Sequence, residues 1–202
     1  MERRNYIPKN AGFVDTHISY PIADLFSEPA YACGATPNGV TILTFVIRCV
    51  AMYYMYKKER PHLVLGLFVV SWFTDALDGL MARKYDMKSE IGAHLDYIVD
   101  MVTTAPTIVI LLVKYYWNDK QIFATLFGIG VLLHIGQVIK MKGNHRSDAS
   151  LKPWERVMNA IPIDVQSNAL IDANDPGLTY ILLLSTIYYG LFVLNGEKLS
   201  ET

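Results

Sequence analysis

Four aspartates, Asp75, Asp78, Asp96 and Asp100, stand at fixed spacings in the stretch D-A-L-D-G-L-M-A-R-K-Y-D-M-K-S-E-I-G-A-H-L-D-Y-I-V-D, flanked by very apolar runs. Carboxylates beside a bilayer are costly, and each one there marks a functional position. Four oxygen donors without a Cys partner, and without a His at a ligand spacing, favour hard ions such as Mg²⁺ or Mn²⁺ over zinc. Two such ions would offset the four negative charges. They could also clamp a diphosphate and stabilise the attacking and leaving oxygens of an in-line displacement.

Helical geometry brings the acids together. At about 100° per residue, Asp75, Asp78, Gly79 and Ala82 share one arc of a first helix, with Arg83 at its margin. Gly92, Asp96 and Asp100 share a face of a second helix. The residues between, Lys84 to Ile91, are polar enough for a short water-facing connection, so the two acidic faces can oppose each other. Gly79 and Gly92 permit close backbone approach of a ligand, and Arg83 offers a planar fork for phosphate or carboxylate. Singly, these residues read as a cap, a turn or a packing glycine. Together they do not: eight fixed positions, each at a usage of roughly one in fifteen, match by chance on the order of once in ten million.

The string resembles the CDP-alcohol phosphotransferase signature, D-x2-D-G-x2-A-R-x8-G-x3-D-x3-D, at every fixed position. The resemblance implies an integral membrane enzyme that transfers a phosphoalcohol group from a CDP-alcohol to a hydroxyl acceptor and releases CMP. It implies that Asp75, Asp78, Asp96 and Asp100 contact one or two Mg²⁺ or Mn²⁺ ions and that Asp100 is also the general base. Gly79, Ala82, Arg83 and Gly92 would line the nucleotide and phosphate site. A homodimer is expected on the same ground. A base at Asp100 makes physical sense where metal acidifies the acceptor hydroxyl, although the residues alone do not separate Asp100 from Asp96 in that role.

Composition agrees with a small polytopic protein. The chain has 202 residues, 52% of them hydrophobic, which favours one membrane domain over several soluble ones. The mean hydropathy is +0.24. A net charge of −1, with basic residues scattered among loops, gives no support for nucleic-acid binding. Cys33 and Cys49 form no disulfide framework or CxxC site.

The expected architecture is an all-α six-helix transmembrane bundle (37–197) behind an N-terminal tail and juxtamembrane helix (1–36). Apolar spans are predicted near 39–58, 62–83, 92–117, 121–140 and 177–195, each about the length that crosses a bilayer. The sixth must come from 141–176, where Asp148, Glu155, Asp164, Asp172 and Pro162 leave a short or partly polar helix, with five spans as the alternative. No signal-peptide core precedes them. Ile18, Ile22, Leu25 and Phe26 recur at helical spacing behind Ser19 and Pro21, which predicts an amphipathic helix on the membrane surface. Tyr115, Tyr116 and Trp117 read as an interfacial aromatic belt.

Charge sets the orientation. Segments 1–36, 83–90 and 140–156 carry eleven Lys and Arg residues, against Lys57, Lys58, Arg60, Lys114 and Lys120 in the opposite turns. The motif connection is therefore expected to face the cytosol. Arg48 lies about nine residues, or roughly 14 Å, into the first span, at the depth of Asp75 in the second. An unpaired arginine there is costly, so Arg48 is predicted to face the acids and to hold a phosphate or Asp75. Asn38, in Thr36-Pro37-Asn38-Gly39-Val40-Thr41, starts a helix and, through the P-N-x-x-T pattern of the family, is a candidate contact for the CDP group. His94 falls off the acid face and reads as a packing or interfacial residue.

The acceptor is read from Gly92, Ala93, Leu95, Asp96, Asp100 and Thr104, which resemble phosphatidylinositol synthases. Met101 stands where those enzymes usually carry arginine. Serine and glycerol 3-phosphate are the next candidates, and CDP-diacylglycerol is the donor that fits a catalytic face near the membrane boundary. A cation-binding channel or transporter would also explain intramembrane carboxylates, but not Gly79, Ala82, Arg83 and Gly92. A catalytically dead scaffold ranks last, because all four acids are present.

Overall fold

The computed structural model describes residues 7, 8, 11–143 and 176–194, and among these there is no strand. Pro, Gly and capping side chains divide the apolar runs into helices. A π-helical turn, Asp15–Ser19, leads into α1 (Tyr20–Ala32). Thr36 then caps α2 (Pro37–Lys57), its Oγ1 accepting the Gly39 N–H at 3.2 Å with Pro37 in the first turn. Lys58, at φ 57°, ends α2 in the left-handed region.

Helix α3 (Pro61–Lys84) carries the first half of the motif and α4 (Glu90–Ile110) the second. Ser89 caps α4 by accepting the Gly92 N–H at 2.9 Å, and Glu90 adds a favourable charge in the first turn. A π-helical turn, Leu111–Tyr115, extends α4. Helix α5 spans Lys120–Gly143, and α6 (Pro176–Tyr188) continues into a π-helical turn, Tyr189–Leu194.

Four of these helical segments are long and apolar enough to cross a membrane: Pro37–Lys57, Pro61–Lys84, Glu90–Tyr115 and Gly177–Leu194. They coincide with four of the predicted spans. The span predicted at 121–140 falls on α5, within which Lys120–Val131 is an apolar stretch. The remaining span, expected in 141–176, lies almost wholly outside the described residues, as does most of the tail. The chain is an all-α membrane protein.

Two apolar clusters bracket the motif. In one, Met55, Val64, Phe68, Leu111, Tyr115, Tyr116, Ile187 and Leu191 join α2, α3, the end of α4 and the end of α6. Tyr115 and Tyr116 are therefore core residues, and only Trp117 of the expected belt is exposed. The reason is polar: Tyr115 donates to the Met55 carbonyl at 2.7 Å and Tyr116 to the Thr186 carbonyl at 2.6 Å, so both hydroxyls are satisfied inside. Gly190 allows this approach, since a Cβ there would sit 3.0 Å from the Tyr116 ring.

In the other cluster, Ala23, Val40, Leu77, Leu80 and Met81 seat α1 against α2 and α3. Lys84 reinforces it, donating to Asp24 Oδ1 and to Ser27 Oγ, each at 2.8 Å. The opposite side of α1 is apolar and open, with Leu25 74% exposed and Phe26 60%. That pattern suits a helix lying on a membrane surface.

Candidate active site

Apolar attraction between helices is weak in lipid, so small residues and interhelical polar bonds must hold a membrane bundle together. Here such bonds form a layer between the two clusters. Thr44 of α2 donates to Thr74 of α3 at 2.8 Å. One turn earlier on α2, Thr41 donates to Asp78 Oδ2 at 2.6 Å while also bonding the Pro37 carbonyl at 3.1 Å. Ser71 of α3 meets the Tyr180 hydroxyl of α6 at 3.0 Å.

Asp75 of α3 and Asp96 and Asp100 of α4 each bring a carboxylate oxygen within 4.8 Å of the others. Oxygens bound to one Mg²⁺ at about 2.1 Å stand at most about 4.2 Å apart, so this donor set fits a hard divalent cation after a small movement. Asp78 stands apart from the trio. It is 5% exposed and accepts from Thr41 through one oxygen, and the Gly79 backbone also bonds its carboxylate.

Arg48 lies against the trio. It is 4% exposed and donates through Nη2 to Asp75 Oδ1 at 2.9 Å and through Nη1 to Asp100 Oδ1 at 2.5 Å. A longer bond runs from Nη1 to Thr103 Oγ1, at 3.3 Å. The Asp75 and Asp100 side chains keep 31% and 46% of their surface exposed, so both remain accessible beside the buried arginine.

The other motif residues line the approach. Gly79 faces the Arg83 guanidinium, where a Cβ would stand 3.3 Å from Nη1. Arg83 in turn lies 5.2 Å from the Tyr20 ring of α1. Burial raises the Tyr20 phenol above its ordinary pKa, with the charge of Arg83 opposing that rise. Ala82 is half-buried and its carbonyl receives the Met87 N–H at 3.0 Å, tightening the turn between α3 and α4. A Cβ on Gly92 would come within 2.6 Å of Asn38 Oδ1. Asn38 therefore joins the first turns of α2 and α4. His94 is exposed and bonds its own helix at the Glu90 carbonyl, 2.7 Å away, off the acid face.

Thr41, Thr103, Ser71 and Tyr180 complete this layer and were not singled out as site residues from the sequence. Thr103 carried a signal, being three residues after Asp100 and hence on its face. Thr41 carried another, at the end of the P-N-x-x-T pattern. Tyr180 carried none, because α6 reaches the site only through the tertiary fold.

A multi-pass α-helical membrane protein with a carboxylate centre between its second and third spans is the class that fold and site define. The family model described as CDP-alcohol phosphatidyltransferase matches residues 35–159. The chain belongs to that family. Similar curated proteins include CDP-diacylglycerol–inositol 3-phosphatidyltransferase 1 of Arabidopsis thaliana, 30% identical over 122 residues, covering 58% of this chain and 52% of that protein. The CDP-diacylglycerol–inositol 3-phosphatidyltransferase of Saccharomyces cerevisiae is 32% identical over 99 residues, 48% of this chain and 43% of its own. Archaetidylinositol phosphate synthase of Pyrococcus horikoshii is 37% identical over 73 residues, 36% of this chain and 38% of its own. The matched part of the chain spans about half the length of the first two relatives. No solved structure gives a significant match. Nothing in these comparisons supports the channel or transporter reading.

Proposed function

We propose that this protein transfers a phosphatidyl group from CDP-diacylglycerol to an alcohol and releases CMP. The observation that carries the reading is the convergence of Asp75, Asp96 and Asp100 within 4.8 Å, from the two halves of the family motif. Asp75, Asp78, Asp96 and Asp100 are the residues that would hold Mg²⁺ or Mn²⁺. When bound, the cations supply neutralising charge to the diphosphate and make the acceptor hydroxyl more acidic.

The chain's own groups do the rest. Gly79, Ala82 and Arg83, with Gly92 and Asn38 opposite, bind the cytidine diphosphate part of the donor. Asp100, with 46% of its side chain exposed, takes the proton from the acceptor hydroxyl. The oxygen so freed bonds to the lipid-bearing phosphorus as the bond from that phosphorus to CMP breaks. In the same reading the site opens to the cytosol and the protein works as a homodimer.

Inositol is the acceptor this reading favours. Its support is the inositol transferase activity for which the Arabidopsis and yeast relatives are named, together with Gly92, Ala93, Leu95, Asp96, Asp100 and Thr104. The test is CMP release by the purified protein given CDP-diacylglycerol, Mg²⁺ or Mn²⁺, and inositol, serine or glycerol 3-phosphate in parallel. Turnover with inositol alone supports the assignment. Turnover with another alcohol moves the acceptor and keeps the reaction; none with any alcohol removes both.

A further inference from the structure

Arg48 is a cation built into a site that the reading above assigns to cations. Its two guanidinium nitrogens hold Oδ1 of Asp75 and Oδ1 of Asp100, two of the three carboxylates in the trio. Thr103 at 3.3 Å fixes the fork from α4, and the Tyr180 ring, 6.0 Å from the guanidinium carbon, walls it off from α6. Tyr180 is itself held by Ser71 at 3.0 Å. A guanidinium does not give up its proton in a protein, so this charge is permanent.

We propose that Arg48 competes with divalent cations for Asp75 and Asp100 and thereby sets the metal affinity of the centre. The inference rests on the metal-dependent reading of the site. With Arg48 in place, the ionised trio carries a net charge of −2 instead of −3. One divalent cation then neutralises it. A neutral residue at position 48 leaves a stronger field and frees two ligand oxygens, which raises cation affinity without any change in the carboxylates themselves.

The experiment is a Mn²⁺ titration of the full chain, purified and without nucleotide, followed by the electron paramagnetic resonance signal of free Mn²⁺. Wild type is compared with Arg48→Gln, Arg48→Met and Arg48→Lys. The two neutral variants are expected to bind at least about tenfold tighter, and the lysine variant to stay within about threefold of wild type. Equal or weaker binding by the neutral variants overturns the proposal, since Arg48 would then only shape the carboxylates.

If the neutral variants are too unstable to titrate, the rise in Tm produced by Mn²⁺ answers the same question. It is larger in Arg48→Gln than in wild type if the proposal holds, and equal or smaller if it does not. Wild type that binds Mn²⁺, beside neutral variants that bind it no better, defeats this inference alone. Absence of binding in every form defeats it together with the metal-dependent reading.

Discussion

Asn38 Oδ1 occupies the space that a Cβ on Gly92 would need, with only 2.6 Å between them. The first turns of α2 and α4 are thereby locked in contact. Alanine is favoured over glycine inside a helix by about 1 kcal/mol, but a Cβ at Gly92 would also stand 2.9 Å from Ser89 Oγ, the cap of α4, so the gain is offset there. Gly92→Ala is expected to push Asn38 aside and to lower CMP release by about tenfold or more, the loss for roughly 1.4 kcal/mol of misplacement. The double variant Asn38→Ala, Gly92→Ala, which relieves the contact with Asn38 and leaves that with Ser89, should lose less beyond Asn38→Ala than Gly92→Ala loses from wild type. Additive losses in that cycle would show that the contact is not what requires glycine.

Thr41 is the partner that positions Asp78, at 2.6 Å in a buried setting. Thr41→Val removes the donor and leaves the carboxylate under-satisfied, which costs about 1–3 kcal/mol. Thermal unfolding in detergent should show a lower Tm for valine and a nearly unchanged one for serine. A valine variant as stable as wild type would contradict the role given to this bond.

Lys84 and Asp24 tie α1 to the end of the motif helix at 2.8 Å, with 23% and 12% of their side chains exposed. The pair is only partly desolvated, so a double-mutant cycle on Lys84→Ala and Asp24→Ala is expected to give a coupling of about 1 kcal/mol. Coupling near zero would mean that α1 is seated by the Ala23, Leu77 and Leu80 cluster alone.

The outward face of α1, with Leu25 and Phe26 exposed, is proposed to lie on the membrane surface. Spin labels at Leu25→Cys and Phe26→Cys, in a background lacking Cys33 and Cys49, should collide with dissolved oxygen more than with a water-soluble nickel complex. Collision with the nickel complex as frequent as with oxygen at both positions would remove α1 from the bilayer.

Much of the site could be read before the fold, because helical spacing within one segment is local. Asp75 is one face of α3, Asp96 and Asp100 one face of α4, and the short connection between them leaves those faces opposed. The depth of Arg48 followed from helical rise, and the structure adds Asp100 as a second partner to Asp75. Asp78 shares the arc of Asp75 but is not one of the trio, and its bond to Thr41, on a different helix, is one that spacing along α3 does not report. Tyr180 and the burial of Tyr115 and Tyr116 depend on how α6 packs, which no periodicity in an apolar run reports. The expected span in 141–176 falls outside the described residues.

The aspartates of α3 and α4 are proposed to form one metal-dependent catalytic centre. The decisive measurement is CMP release from CDP-diacylglycerol, with Mn²⁺ and the acceptor that supports turnover, by wild type beside Asp96→Asn and Asp100→Asn of matched Tm. Wild type is expected to release CMP steadily and to stop in EDTA, and both variants to run at least about a thousandfold slower, a loss of about 4 kcal/mol of transition-state stabilisation. Release that persists in EDTA, or that survives either substitution at the wild-type rate, would contradict that proposal.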